Sequence, residues 1–135
     1  MSLSHFDITT TAHRDLIDIT REVEHAVQNS GISTGMMYLF NPHTTAGLTI
    51  NEGADPAVRH DIIKGLTHIV PENLGYLHAE GNSAAHIMTL LTGSSLTIFI
   101  ENGKLLLGTW QKIFFCEYDG PRSRIVHWKI AADPQ

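Results

Sequence analysis

The sequence predicts a single α+β domain across residues 1–135, with a mixed, mostly antiparallel sheet and two to three helices. Strand-length runs of alternating apolar residues lie at both ends of the chain. Segments with three- and four-residue apolar spacing lie between them, as expected of amphipathic helices. A chain of 135 residues, 42% of them hydrophobic, is large enough to bury one core.

The first half of the chain contains three predicted strands and one predicted helix. The runs FDITTTA, GMMYLFN and AGLTI have the alternation and the β-branched content of strands. The segment TREVEHAVQNSG predicts a helix that is capped by Asp18 or Thr20 and ends before Gly31. In the third strand, three apolar side chains are expected to point the same way, namely Ala46, Leu48 and Ile50.

A second helix has the clearest start in the chain. Asp55 is a favourable N-cap, and Pro56 suits the first helical position because its missing N–H costs nothing there. Pro71 is expected to end this helix. Its apolar residues recur at helical spacing and predict one core-facing side, composed of Val58, Ile62, Ile63, Leu66 and Ile69.

The second half is predicted to be a loop, a short helix and three strands. PENLGYLHAEGNS is typical of a loop, and AAHIMTLL predicts a helix capped by Asn82 or Ser83. SLTIFI, KLLLGTWQKIFFCEY and RIVHWKI, separated by the turns ENGK and DGPR, predict an antiparallel meander. Gly108 interrupts the long middle run, which indicates a bulge or a close backbone approach.

The composition excludes several classes of partner. The formal net charge is −5 and the 9 Lys and Arg residues are scattered, so no basic surface for a nucleic acid is expected. The N-terminal segment lacks the features of a secretory signal, and no run approaches the roughly 20 apolar residues needed to cross a bilayer. The lone Cys116 suits a reducing compartment. We therefore expect a soluble cytoplasmic protein without membrane contacts.

Side chains capable of chemistry cluster in three segments at the predicted ends of strands and helices. The first segment is HTTAGLTINE, the second is LHAEGNSAAH, and the third combines GTWQ with EYDGPRSR. The candidates in the first segment are His43, Thr44, Thr45, Asn51 and Glu52. Those in the other two are His78, Glu80, Asn82, His86, Thr109, Gln111, Glu117, Asp119, Arg122 and Arg124.

Histidine is abundant, with 9 residues, and zinc is held by neutral imidazoles or carboxylates at about 2.0–2.2 Å. His78, from a loop, and His86, from the following helix, can approach one point, although their spacing alone is a weak metal signal. His43, from a separate strand, would add a third ligand, but the sequence does not show whether the three histidines meet at one point. The remaining histidines are expected at the surface or partly buried, without chemical duty, at positions His5, His13, His25, His60, His68 and His127.

Several candidates also have an ordinary structural explanation. Thr44 and Thr45 favour a strand, and Asn82 favours a helix cap. Asp119 precedes a glycine and indicates a turn whatever else it does. The ordinary explanation for Glu80 is a solvated surface carboxylate. The sequence therefore gives both a structural and a chemical interpretation for these positions.

Three motifs occur in order along the chain, HTTAGLTINEGADPAVRHDI, HAEGNSAAH and GTWQKIFFCEYDGPRSR. Over about residues 35–130, with a fitting N-terminal strand and helix, the chain resembles the YjbQ-like family. These are small proteins to which a secondary thiamine-phosphate synthase activity is attributed. The family activity joins a hydroxymethylpyrimidine diphosphate to a thiazole phosphate and releases pyrophosphate. In that family this activity is considered secondary, and the physiological substrate is not settled.

The resemblance implies a sheet curled toward a half barrel and assembly as a homotrimer. It also implies a divalent metal, with zinc as the expected ion, held by His43, His78 and His86. The chain departs from the family pattern at Ala84, where an acidic residue is common, and at Met88, where a lysine is common. If either residue helps to hold substrate in relatives, these departures put the affinity for phosphate in doubt, and the sequence leaves that question open.

The implied reaction assigns roles to the candidates. Negative charge develops on the departing pyrophosphate, so metal and arginine cations are expected to stabilise it. The expected phosphate and substrate contacts are Thr44, Thr45, Asn51, Asn82, Thr109, Asp119, Arg122 and Arg124. The expected catalytic or histidine-orienting residues are Glu52, Glu80, Gln111 and Glu117. Asn51 and Glu52 are expected either to support His43 or to face a neighbouring subunit.

Two other classes of function remain open. A metal-dependent hydrolase of a phosphorylated metabolite would use the same metal and arginines, with a metal-bound water as nucleophile. A non-catalytic trimer that captures a small anionic ligand would need no acid or base.

Overall fold

The computed structural model describes residues 3–135. Its strands are β1 Ser4–Thr9, β2 Asp15–Asp18, β3 Gly35–Phe40, β4 Ala46–Glu52, β5 Ser95–Glu101, β6 Lys104–Leu105, β7 Gln111–Glu117 and β8 Ser123–Ala132. Its helices are α1 Thr20–Ser30, α2 Pro56–Ile69 and α3 Ser83–Thr92. The first two residues of the N-terminal segment, and of the predicted domain 1–135, lie outside the described residues.

The predicted fold class is confirmed: the chain is a single-domain α+β protein with three helices and an antiparallel sheet curled into a half barrel. Hydrogen bonding divides the sheet into two parts. Five strands follow the order β1-β8-β3-β5-β6, and three follow the order β2-β7-β4. Every strand pairing in the described part of the chain is antiparallel.

The main core lies between the two parts of the sheet and is closed by α1. The inward residues of β3, β5 and β8 meet those of β4 and β7, as in the contact of Met37 and Leu39 with Leu48 and Phe115 in one cluster. α1 contributes Val23 and Val27, which occupy one face of the helix. Alternation in the strands and four-residue spacing in the helix thus produce one buried layer.

A second core lies on the opposite face of the three-stranded part, beneath α2 and α3. Phe114 and Cys116 of β7 point into it, between the residues that point into the main core. α3 covers this face with Ala85 and Met88. β7 is therefore buried on both faces, which explains its continuous apolar run IFFC.

The predicted meander of the last three strands is wrong. β5 pairs with β3 and β6, β7 pairs with β2 and β4, and β8 pairs with β1 and β3. The predicted middle strand is broken where residues 106–110 carry the chain from one part of the sheet to the other. Gly108 lies in this crossing and its N–H donates to Gln111 Oε1 at 2.8 Å. When a strand has apolar residues on both of its faces, its sequence does not specify which strands pair with it.

The helix ends agree with the sequence more closely than the helix faces do. Asp55 Oδ1 accepts from the Ala57 amide at 2.9 Å, and Gly31 ends α1 with φ 68°. The N-cap of α1 is Ile19, without a side-chain capping bond, rather than the predicted Asp18 or Thr20, although Asp18 accepts from the Thr20 amide at 2.9 Å. The core-facing prediction for α2 is wrong at Ile69, which is 65% exposed, because α2 covers only the edge of the second core with its middle turns.

The histidines expected to have no chemical duty occupy the surface as predicted. Five of them are exposed and His127 is partly buried. Across residues 3–135, no helix combines the length and the apolar character needed to span a bilayer.

Gly47 of β4 tests the packing of α3 on the sheet. A Cβ at this position would lie 2.5 Å from Thr92 Oγ1 and 3.1 Å from the Gly93 carbonyl oxygen, so α3 would have to shift. We expect Gly47→Ala to lower the free energy of unfolding by about 1–3 kcal/mol, measured by urea denaturation. Gly65→Ala is the matched control, because a Cβ in that turn of α2 meets nothing within 4 Å.

Gly65→Ala should raise the stability by about 0.5–1 kcal/mol, since alanine is the better helix former. Equal effects of the two substitutions would contradict the proposed close contact between α3 and β4.

Candidate functional site

The loop that carries His43 is fixed by a buried asparagine. Asn41 is 1% exposed. Its Oδ1 accepts from the His43 amide at 3.0 Å, and its Nδ2 donates to the Ala46 carbonyl at 2.6 Å. These two bonds hold the ends of the loop before β4 together. From the sequence, Asn41-Pro42 predicted only the end of a strand, and the role of the Asn41 side chain was not predicted.

The His43 ring is directed at the backbone of β8. His43 Nε2 lies 2.9 Å from the Ile125 amide nitrogen and 3.1 Å from the Ile125 carbonyl oxygen, so it accepts or donates according to the tautomer of the ring. Burial lowers the pKa of His43 below its ordinary value, and the nearby Arg124 charge lowers it further. In either tautomer, His43 Nε2 is engaged with the backbone of β8.

His78 and His86 lie side by side at the start of α3. Their ring centroids are 5.4 Å apart and the rings are close to perpendicular. His86 Nδ1 lies 2.9 Å from the Thr44 carbonyl, which can only accept, so this nitrogen carries the proton. The lone pair of a neutral His86 is therefore on Nε2. A backbone acceptor that fixes the tautomer in this way is typical of metal-binding histidines.

Asn82 links the start of α3 to the turn after β7. It occupies the N-cap position, but its side chain makes no capping bond and instead donates from Nδ2 to Asp119 Oδ2 at 2.9 Å. Arg122 donates to the same carboxylate oxygen at 2.9 Å and is half exposed. Burial alone raises the pKa of Asp119, but the bonds from Asn82 and Arg122 outweigh it and hold this pKa below its usual value.

Asn82 Oδ1 has no hydrogen-bond partner among the described residues, although it is buried. A buried acceptor without a donor is costly, and a ligand donor or a cation would satisfy it. We call the group formed by His78, His86, Asn82, Asp119 and Arg122 the α3 site.

Behind the α3 site, Glu117 and Arg124 form a buried ion pair. Glu117 is 0% and Arg124 is 5% exposed. Arg124 Nε donates to Glu117 Oε1 at 2.9 Å and Nη2 donates to Oε2, which gives a two-point pair. Nη2 also donates to Thr45 Oγ1 at 2.9 Å. Thr10 completes the network by donating to Glu117 Oε1 at 2.7 Å.

These donors determine the charge of Glu117. Burial alone raises the pKa of this carboxyl, but the hydrogen bonds from Arg124, Thr10 and the Asp119 amide lower it below the usual range. Glu117 is therefore an ionised anchor, and Arg124 is engaged with it rather than presented to solvent. In this structure both residues position the loop of Thr45. The part played by Thr10 has no sequence signal beyond a run of threonines.

The remaining candidates lie at the other end of β4 and β7. Ala46 pairs with Glu117 at one end, and Glu52 pairs with Gln111 at the other. Six residue steps separate these ends, roughly 20 Å along the strand. Within one chain, Asn51 and Glu52 therefore do not support His43.

At this far end, the candidate side chains organise loops. Glu52 Oε2 accepts from the Asp55 amide at 3.1 Å and Asn51 Oδ1 accepts from the Glu52 amide at 2.7 Å. Gln111 binds Gly108, as described for the crossing segment, and Thr109 is exposed beside it. Glu80, in the loop before α3, is exposed.

The α3 site fits a metal ion in part. His78 and His86 present imidazoles beside each other, and Asn82 adds an unpaired buried oxygen. Within residues 3–135, however, no three His, Cys, Asp or Glu side chains are placed to hold one ion together. His43 stays on Ile125. Two histidines of this chain are thus available as ligands, with further positions left to substrate or solvent.

The two departures from the family pattern lie in the second core. Ala84 is 1% exposed and Met88 is 0% exposed, and both pack beneath α3. Neither side chain faces the α3 site, so a lysine at position 88 would place a charge in an apolar cluster.

Comparisons with known proteins give a consistent family. The family profile described as "UPF0047 protein YjbQ-like" matches residues 4–133. The UPF0047 protein MJ1081 of Methanocaldococcus jannaschii is 50% identical, over 97% of this chain and 95% of that protein. The UPF0047 protein YugU of Bacillus subtilis is 47% identical, over 95% of this chain and 98% of that protein.

Solved structures agree with the fold. An uncharacterised conserved YjbQ/UPF0047 protein of Clostridium acetobutylicum has a TM-score of 0.93 at 53% identity, covering 95% of this chain and 99% of that chain. A YbjQ-like protein of unknown function from Sulfolobus solfataricus has a TM-score of 0.92 at 30% identity, covering 98% and 97%. The names of these four relatives specify no activity.

The buried ion pair gives a prediction for stability. In Glu117→Gln, Arg124 is left as a buried charge without a counter-ion, and we expect the free energy of unfolding to fall by about 3–5 kcal/mol. Because the pKa of Glu117 is lowered from 4.5, its stabilising effect is present above that pH and is lost as the pH falls through the folded-state value.

Urea denaturation at several pH values between about 7 and 3 measures both effects, with the acid-side slope smaller in Glu117→Gln than in the wild type. Glu24→Gln, which changes an exposed carboxylate of α1, is the control and should behave as the wild type. A Glu117→Gln protein with unchanged stability would contradict the anchoring role.

Proposed function

Because the chain belongs to the YjbQ-like UPF0047 family, we propose that it is an enzyme that acts on a small phosphorylated metabolite at the α3 site. The reaction we propose joins a hydroxymethylpyrimidine diphosphate to a thiazole phosphate and releases pyrophosphate. The observation that carries the proposal is His86, whose Nδ1 donates to the Thr44 carbonyl and whose ring centroid lies 5.4 Å from that of His78.

His78 and His86 are the residues that would hold a divalent metal, with zinc as the ion to test first. When bound, such an ion supplies Lewis-acid stabilisation of phosphate oxygens. The buried Asn82 Oδ1, which lacks a donor, supports the binding of a cation or a ligand N–H or O–H at the same place. His43 supports the site indirectly, because its bond to Ile125 connects the Thr44 loop to β8.

Arg122 is the arginine that we assign to phosphate binding. Its Nη2 and Nε donate to Asp119, which fixes the plane of the guanidinium, while half of its side chain remains exposed. A pre-oriented guanidinium binds phosphate at two points and stabilises the charge that grows on a leaving pyrophosphate. The exposed hydroxyl of Thr44 is in place to add a further hydrogen bond.

The engaged carboxylates favour transfer over hydrolysis. In the transfer, the bond between the pyrimidine methylene and the pyrophosphate oxygen breaks and a bond to the thiazole nitrogen forms. No proton has to be removed from the nucleophile. Glu117 and Glu52 are both engaged in hydrogen bonds within the chain, which is compatible with a reaction that needs no carboxylate base. A hydrolase would need a base for its water, and Glu80 is the exposed carboxylate available for that role.

We also propose that the chain assembles as a trimer of identical copies. The outer face of the five-stranded part exposes large apolar residues, including Tyr38 and Phe40 of β3 and Phe99 of β5, which are 42%, 51% and 59% exposed. The strand register places Phe99 beside Met36 on this face. A trimer would also provide a partner surface for Asn51 and Glu52, which lie too far from His43 to support it within one chain.

The function is tested by metal content and product formation on the same preparations. Untagged wild type should contain about one divalent ion per α3 site by elemental analysis and should form thiamine phosphate from the two substrates, followed by chromatography. We expect His86→Ala to lose the ion and to react roughly tenfold more slowly or worse. His25→Ala, an exposed histidine of α1, is the matched control and should match the wild type.

Stoichiometric metal in His86→Ala would contradict the metal assignment. Release of phosphate from either substrate alone, lost in Glu80→Gln, would favour the hydrolase. Binding of both substrates without any turnover would favour the non-catalytic binding protein.

The assembly is tested separately by sedimentation. Wild type is expected to sediment as a trimer, and Phe40→Glu combined with Phe99→Glu is expected to sediment as a monomer, because two charges would be buried against an apolar partner surface. Gln28→Glu, which adds a charge on the exposed side of α1, should leave the trimer intact. A double variant that stays trimeric would place the interface elsewhere.

A further inference from the structure

A second cleft, which shares no residue with the α3 site, lies between β2 and α2. Its volume is about 510 Å³. Three of its lining side chains are cationic and one is a carboxylate, although the whole chain carries a formal net charge of −5. The cations are Arg14, Arg59 and Lys64, the carboxylate is Asp15, and apolar walls are formed by Leu16 and Ile63.

Arg59 has no counter-ion within residues 3–135. Its guanidinium carbon lies 5.4 Å from the centre of the Phe114 ring, and its Nε is buried without a hydrogen-bond partner. Phe114 belongs to the second core and therefore gives Arg59 a rigid support. A guanidinium that lies over an aromatic ring can still use the N–H groups at its edge to bind an oxyanion.

Arg14 enters the cleft from the opposite wall. Its side chain is 9% exposed. Nη1 donates to Thr67 Oγ1 at 3.0 Å and Nη2 pairs with Glu72, yet Nε is buried without a partner. Burial lowers the pKa of Arg14 below its ordinary value, which shows how weakly water solvates this cation. Two arginines of one cleft thus each keep an unsatisfied, buried N–H, and such groups are rare without a ligand.

Lys64 adds a mobile cation at the exposed side of the cleft. It follows Arg59 after five residues on α2 and has no ion pair among the described residues. Arg59 and Lys64 are thus two cations of the cleft without an ion pair among the described residues, with Asp15 as the carboxylate of the lining, whereas Arg14 is already paired with Glu72. A phosphate monoester carries about 1.5–2 negative charges near neutral pH, whereas a carboxylate carries only one.

We propose that the cleft between β2 and α2 binds a small phosphate-bearing metabolite, with its phosphate on Arg59, Lys64 and Arg14 and its apolar part on Leu16 and Ile63. The site shares no residue with the one proposed for catalysis and does not depend on a metal. The ligand is recognised by its dianionic phosphate, and the walls limit the rest of it to a compact apolar or aromatic group.

The proposal is tested by NMR titration of the intact ¹⁵N-labelled protein with inorganic pyrophosphate, in low salt and with a chelator present. We expect the amides of Asp15, Leu16 and Lys64 to shift along a saturable curve. Arg59→Gln and Lys64→Gln should each weaken this binding by about tenfold, and added salt should weaken it in the wild type. Lys104→Gln, which changes an exposed lysine at the start of β6, is the matched control and should bind as the wild type does.

Further variants separate this site from the catalytic proposal and from a folding defect. His86→Ala should bind pyrophosphate in the cleft with unchanged affinity, so failure of the proposed function leaves this result intact. Arg59→Lys keeps the positive charge but loses the planar, two-pronged set of guanidinium donors. In the folded protein, we expect this variant to bind pyrophosphate with an affinity between those of the wild type and Arg59→Gln.

Three results would overturn the proposal. The first is the absence of saturable shifts in the wild type, and the second is an affinity equal to that of the wild type in both Arg59→Gln and Lys64→Gln. The third is a change in sedimentation of these two variants at unchanged affinity, which would make the cleft a contact between protein chains.

Discussion

The buried pair of Glu117 and Arg124 is the constraint on which the arrangement of the α3 site depends. It joins the last residue of β7 to the start of β8, and through Thr45 and Thr10 it reaches the loop before β4 and the end of β1. These segments belong to both parts of the divided sheet. A charge pair inside a protein is stabilising only when its remaining hydrogen bonds are satisfied. Here the Thr10 hydroxyl and the Asp119 amide donate to Glu117, and the Thr45 hydroxyl accepts from Arg124.

The position of the candidate residues follows from this anchoring. The Thr45 hydroxyl holds Arg124, and one residue earlier the Thr44 carbonyl holds the proton of His86. Two residues after Glu117, the Asp119 carboxylate accepts from Asn82 and Arg122. The surface groups that face solvent are thus only one or two residues from groups that are fully enclosed. Such short links keep side chains oriented at little cost in flexibility.

Local signals in the sequence predicted much of the fold. Apolar alternation identified β3, β4, β5 and β8, and the turn residues placed both hairpin-like reversals correctly. Asp55, Pro56 and Gly31 marked helix ends because capping depends on a few adjacent residues. The strand order was not predictable in this way. The run IFFC in β7 is apolar at every position, so the alternation that would show which face is covered is absent there.

The sequence predicted which segments of the chain contribute to the α3 site, but it did not predict which of their side chains contact one another. The three motifs contain every residue of the α3 site. They also contain residues at the far end of β4 and β7, such as Glu52 and Gln111, because residues that are close in sequence along a strand can lie far apart in the fold. The cleft beneath α2 illustrates the reverse case. Arg14 and Arg59 are 45 residues apart, and although Arg59 lies within the first motif, Arg14 lies in none, so only the packing of α2 on β2 brings them together.

The burial of β7 on both faces has a consequence for how its alignment is chosen. Ile113 and Phe115 face one core while Phe114 and Cys116 face the other. A slip by one residue would exchange these sets and still leave apolar side chains in both cores, so hydrophobicity discriminates poorly between the two alignments. Glu117 does discriminate, because in the slipped alignment its carboxylate would leave Arg124 and enter an apolar layer. The same polar contact that supports the α3 site therefore selects the native register of the central strand.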